Sequence, residues 1–191
     1  MFSIQRAELG YLISGEDLDS GEPLTADHTS IRHLAERQSA VEFDSLLRTG
    51  NTSFGALLYL YGFRAVPSPT EPGPGAGNLY FSGGYLTRVH GSRNGGTVDA
   101  IQIESARSFR ESPTRGRYAR ALACALRDFV CTYYLPAGEV PTGCGEDYRN
   151  FCASGGQSAN RQVPAMILLW IVVFILPYLT FGADRFGVVR R

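Results

Sequence analysis

The sequence predicts a layered α/β domain followed by one membrane-spanning helix. Three observations lead there. An alternating apolar–polar run at 98–104 is followed by a helical-period run at 113–134, as for a strand covered by a helix. The stretch 163–181 carries no charge, and its length falls in the range of roughly 17–25 residues for a spanning helix. Finally, 191 residues with 44% hydrophobic and 19% charged side chains hold one domain's core and exclude a fully disordered chain. Eighteen Lys+Arg against eighteen Asp+Glu remove any general case for nucleic acid as a partner. All the basic residues are arginine, which suits bidentate carboxylate recognition but also follows from coding composition.

Residues 1–24 read as a short helix or strand followed by a polar loop. Asp27 or Thr29 is positioned to cap a helix from about Ser30 to Arg37, with Ile31, Leu34 and Ala35 on one face. Asn51 or Thr52 is positioned to cap a second helix from about Ser53 to Tyr61, which Gly62 ends in the left-handed conformation. Phe63–Val66 is a short strand. Residues 67–78 hold four prolines and three glycines and form a loop, either a lid or a surface insertion. The run 98–104 is the clearest strand. Ser112 and Pro113 open the clearest helix, to about Tyr134, with Tyr118, Leu122, Ala125, Phe129 and Tyr133 on its apolar stripe. The predicted organisation is a domain at 1–135, a Gly-rich linker at 136–162, the transmembrane helix at 163–181 and a short tail at 182–191. Arg161 precedes the apolar stretch, and Arg185, Arg190 and Arg191 follow it. The expected location is therefore a membrane, single-pass, with a weak preference for a cytoplasmic tail.

Cys124 and Cys131 lie seven apart beside the helical stripe and read as buried thiols. Cys144 and Cys152 pair with each other or with the helix cysteines if their surroundings are oxidising. His33-Leu-Ala-Glu36 is a weak metal pattern. Asn51-Thr52-Ser53 fits a glycosylation acceptor, or is simply the helix cap.

The chemical candidates cluster at 80–110. Glycines 83, 84, 91, 95 and 96 surround Arg88, His90, Arg93 and Asp99, and Glu104 closes the strand. Glycine lets backbone approach a ligand closely. His90 is a candidate metal ligand or proton carrier. Glu104 is a candidate general base or acid. Arg88 or Arg107 is suited to hold a substrate carboxylate. The bland alternative is a Gly-rich hairpin with surface Arg–Glu pairs.

Gly83-Gly84, Thr87-Arg88, Gln102-Ile103-Glu104 and Arg107 together resemble the C-terminal motif region of the N-formylglutamate amidohydrolase family. The resemblance spans about residues 25–135. It implies an incomplete three-layer α/β/α domain like that of zinc exopeptidases, acting as a zinc-dependent amide hydrolase on N-acylated acidic amino acids. In that reading Glu104 and His90 are catalytic, with Glu104 moving the proton. Arg88, Arg107 and Gln102 bind a small acidic substrate, and His90 and Asp99 are the metal ligands. The family's first histidine-and-acid metal motif has no counterpart in this sequence. The resemblance therefore also implies an alternative: a truncated, catalytically inactive, membrane-tethered relative with a binding role.

Overall fold

A computed structural model of the chain describes residues 5–135, 144–145 and 150–152. All of them belong to the first of two units, which divide between Ala153 and Ser154. The first strand, β1 (Ala7–Gly10), alternates as a sheet strand should. Ala7 and Leu9 are fully buried, and Glu8 turns the other way. It lies at the centre of a three-stranded sheet of order β2-β1-β3, where β2 is Ala65–Val66 and β3 is Gln102–Ser105. β2 runs parallel to β1 and β3 antiparallel, with Ala7 opposite Ser105, Glu8 opposite Glu104 and Leu9 opposite Ile103.

Among the described residues six α-helices accompany the sheet: α1 (Gly15–Asp19), α2 (Arg32–Arg37), α3 (Phe54–Leu60), α4 (Tyr85–His90), α5 (Arg107–Arg110) and α6 (Arg115–Tyr133). The apolar side of the sheet joins one core with Leu34, Leu46, Leu47, Phe54, Leu58 and Phe129. Phe54 of α3 and Phe129 of α6 meet ring to ring at 5.6 Å. A smaller aromatic cluster of Phe63, Phe109 and Tyr118 fastens α5 to the start of α6. The other side of the sheet is met by the segment Tyr80–Gly84: Tyr80 donates its hydroxyl to the Leu9 carbonyl at 2.6 Å, and the Phe81 amide donates to Glu8 at 2.9 Å. Gly10 must lack a side chain there, because a Cβ would stand 2.6 Å from the Gly83 nitrogen.

The expected architecture is thereby corrected. The described residues form a small mixed α/β domain with a three-stranded sheet, not an incomplete three-layer zinc-exopeptidase fold. The membrane expectation is corrected with it. Among the described residues no helix is long and apolar enough to cross a membrane. The stretch 163–181, on which that expectation rested, lies outside them. The single-pass location, the membrane as a partner and the tethered-relative alternative are therefore not carried further.

Several element boundaries moved for local reasons. α3 is capped by Ser53, whose Oγ accepts from the Ala56 amide at 3.3 Å, while Thr52 hydrogen-bonds Tyr133 across to α6. Gly62 does adopt the left-handed conformation, at φ 88°. Its amide reaches Tyr59 and that of Phe63 reaches Leu58, closing the helix as expected. The Pro/Gly-rich loop is strapped down: Arg6 pairs with Glu71 at 3.3 Å, and the Gly75 amide donates to Asp19 at 3.0 Å. α6 begins at Arg115, two residues beyond the expected first position.

The cysteines are disulfide-bonded. Cys124 pairs with Cys152 and Cys131 with Cys144, so helix cysteines join loop cysteines rather than remaining free thiols. The described pieces 144–145 and 150–152 are thus fixed to α6. Arg120 adds a hydrogen bond to the Phe151 carbonyl at 3.0 Å and stacks over the Phe151 ring.

Candidate functional site

Of the residues at 80–110, Gly84, Thr87, Gln102 and Glu104 lie together, whereas His90, Arg88, Arg107 and Asp99 have other surroundings. Gly84 lies against the Gln102 side chain, so a Cβ there would stand 2.6 Å from Gln102 Oε1. Thr87 is folded back on the start of α4, accepting from the Gly84 amide at 2.9 Å and donating to the Gly84 carbonyl at 3.0 Å. Gln102 donates to Glu104 at 2.9 Å. Glu104 in turn sits directly across the ladder from Glu8, a like-charge pairing that costs stability unless compensated. Glu8 finds that compensation in the Phe81 amide and, at 3.9 Å, Arg6. Burial, and then the neighbouring Glu8 charge, push the Tyr80 phenol above its ordinary range.

His90 belongs to the other end of α4. Gly84, at the start of the helix, touches Gln102, whereas Gly91, just past its end, touches Ser30. Six residues separate the two ends by about 9 Å at the helical rise. His90 is exposed and makes no hydrogen bond or ion pair with a described residue. Arg88 is exposed and equally unpaired. Arg107 opens α5 and pairs with Glu111 at 2.6 Å; that hydrogen bond raises its pKa further.

Asp99 is fully occupied by structural work. Its side chain is 3% exposed. Oδ1 accepts from Ser92 Oγ at 2.6 Å and from the Leu34 amide at 3.3 Å. Oδ2 accepts from the Tyr134 hydroxyl at 3.1 Å, and His33 Nδ1 stands 3.8 Å away. Ser92 Oγ also accepts from the His33 amide at 2.9 Å. Ser92 and Asp99 therefore cap α2 from a distant part of the chain, where Asp27 or Thr29 had been expected to do so. Burial first, then the Asp99 charge, push the Tyr134 phenol well above its ordinary range.

The zinc expectation is corrected by this donor set. A zinc site needs three or more protein ligands around one point. Among the described residues no group of three His, Cys, Asp or Glu could hold a metal ion. The Asp99 carboxylate already accepts three hydrogen bonds, all four cysteines are in disulfides, and His33 faces Asp99 while Glu36 pairs with Arg32 at 2.7 Å. Zinc as cofactor, and with it the zinc-dependent amidohydrolase role, does not fit these residues.

What the sequence reading missed is the outer face of α4. At about 100° per residue, Tyr85 and Val89 lie opposite Thr87, with Leu86 and Arg88 to either side. The polarity of this helix is inverted. Thr87 is its buried side chain, at 2% exposure, whereas Tyr85 is 72%, Leu86 44% and Val89 52% exposed. Leu79 and Phe81, just before it, are exposed as well. From Pro72 to Val98 the chain has no Asp or Glu, and its charges are Arg88, Arg93 and His90. Neither Arg88 nor Arg93 has an ion-pair partner among the described residues, although Arg6, Arg32, Arg48, Arg64, Arg107 and Arg127 each hold a carboxylate. The pattern Tyr85-Leu86-Thr87-Arg88-Val89, three apolar residues around one threonine in a short segment between Gly84 and Gly91, carried this signal.

Compared with known proteins, the chain matches no family, no curated protein and no solved structure.

Proposed function

We propose that this is a disulfide-stapled protein-interaction domain that needs no metal and uses the outward face of α4 to bind an acidic, amphipathic peptide segment. The observation that supports this best is the inverted helix, which buries a threonine and offers tyrosine, leucine and valine to water. Exposed apolar patches of this kind mark interaction surfaces. Covering such side chains contributes about 1.5–3 kcal/mol each when burial is complete. Association costs consume much of that, so the affinity is on the order of micromolar. Arg88 and Arg93, in a stretch free of carboxylates, select the sign of the partner's charge rather than adding much energy. Glu8 and Glu104 already have internal partners, Glu8 in the Phe81 amide and Glu104 in Gln102.

The reading includes descent from an N-formylglutamate amidohydrolase-like ancestor. Its support is that Gly84, Thr87, Gln102 and Glu104, dispersed in sequence, share one neighbourhood. The metal chemistry is not part of the proposal.

Fluorescence polarisation on the full chain tests it, using two helical probe peptides with the same leucine face and either glutamates or lysines at the flanks. The glutamate probe is expected to bind at least about tenfold tighter. Val89→Ser removes binding without lowering the unfolding midpoint, and Arg88→Glu with Arg93→Glu reverses the preference. Equal binding of both probes, or a preference that survives the charge reversal, refutes the proposal.

A further inference from the structure

We infer that Asn51 is an N-glycosylation site. Asn51-Thr52-Ser53 is the one Asn-x-Ser/Thr sequence in the chain. It sits in a surface turn closed by the Ser53 amide on the Gly50 carbonyl at 3.0 Å, and Asn51 itself is exposed. An oligosaccharide on its Nδ2 projects into solvent and displaces no contact of the fold. A second, independent observation points to the compartment where such transfer occurs. The cysteines of α6 are both in disulfides, each to a cysteine beyond the helix, and disulfides of this kind persist where the surroundings are oxidising.

The donor class is a polyprenyl-diphosphate-linked oligosaccharide. Asn51 Nδ2 attacks the sugar C1 and loses one proton. The C1–N bond forms, the bond from C1 to the phosphate oxygen breaks, and the polyprenyl diphosphate leaves. In the folded domain the Ser53 hydroxyl is engaged by the Ala56 amide, and that of Thr52 by Tyr133 at 2.6 Å. Transfer therefore precedes folding of α3, when the acceptor serine is still free.

The test directs the full 191-residue chain into the endoplasmic reticulum of a eukaryotic cell with a cleavable leader. Intact mass and peptide mapping are then read with and without peptide N-glycosidase. The expected result is one glycan, lost on enzyme treatment with aspartate left at position 51. Asn51→Gln and Ser53→Ala abolish it, and Ser53→Thr retains it together with the helix cap. An unmodified Asn51 in chains whose four cysteines are all oxidised overturns the inference. Failure of the disulfides to form there overturns it as well, because the compartment argument rests on them.

Discussion

Replacing Asp99 by alanine removes the one carboxylate that ties α2, the segment 92–99 and the end of α6 together. Three hydrogen bonds end on it: from the Leu34 amide, Ser92 Oγ and the Tyr134 hydroxyl. Bonds to a charged acceptor are worth about 1.5–3 kcal/mol each, but the losses are unequal. Ser92 keeps the Ser30 carbonyl at 3.3 Å as an alternative acceptor, and Tyr134 is only partly buried, so water replaces part of what it loses. The Leu34 amide in the first turn of α2 has no such recourse: Ser92 Oγ still serves the His33 amide, and the flanking residue, Ile31, has no capping group. A lost cap costs about 0.5–2 kcal/mol. The sum for Asp99→Ala is about 3–5 kcal/mol, or roughly 6–20 °C in Tm for a chain of this size. Asp99→Asn keeps one acceptor but turns an NH2 group toward a donor, and is expected to cost about 1–2 kcal/mol. Urea unfolding of the oxidised chain, followed by far-UV circular dichroism, measures both. If Asp99→Ala unfolds within about 1 kcal/mol of the parent, the capping argument is wrong.

Two further perturbations follow from the same packing. Cys124→Ala opens a loop with a sequence separation of 28 and Cys131→Ala one of 13, with expected losses of about 3–4 and about 3 kcal/mol on the loop-entropy estimate. Calorimetry of each variant checks this, and unchanged midpoints contradict it. Tyr61 donates to Asp128 and, through burial and that bond, its pKa is raised from 10.0 to about 12. A raised folded-state value means the contribution is complete below pH 10 and is lost as the pH climbs through about 12. The urea midpoint should therefore fall across that window. Tyr61→Phe should make the fall shallower without abolishing it, because Tyr11, Tyr80, Tyr118 and Tyr134 are shifted in the same direction. An identical slope in the variant argues against the Tyr61–Asp128 bond.

Local patterning was legible wherever the determinant lies within a few residues. Of the expected α6 stripe, Tyr118, Ala125, Phe129 and Tyr133 are buried and Leu122 is half-buried against the same core. The left-handed Gly62 follows from the need to close α3 without a Cβ penalty. The expected strand at 98–104 shows where such reading stops. Only Gln102–Ser105 joins the ladder, because Asp99 is drawn into capping α2 and the Ala100 amide donates to the Ser30 carbonyl at 3.1 Å. Alternation describes which faces are buried; it does not say which neighbour buries them.

The sequence alone determined the α6 helix, the closure of α3 and the mixed α/β character. Each rests on spacing that the backbone period translates directly into a face. Tertiary structure alone decided the partners of the cysteines, the remote cap of α2, the exposure of His90 and the outward turn of the apolar side of α4. Those outcomes depend on contacts between segments tens of residues apart, such as Leu34 with Asp99 and Cys124 with Cys152. No local periodicity encodes which distant group will arrive to satisfy a buried amide, or which of two helix faces the core will take.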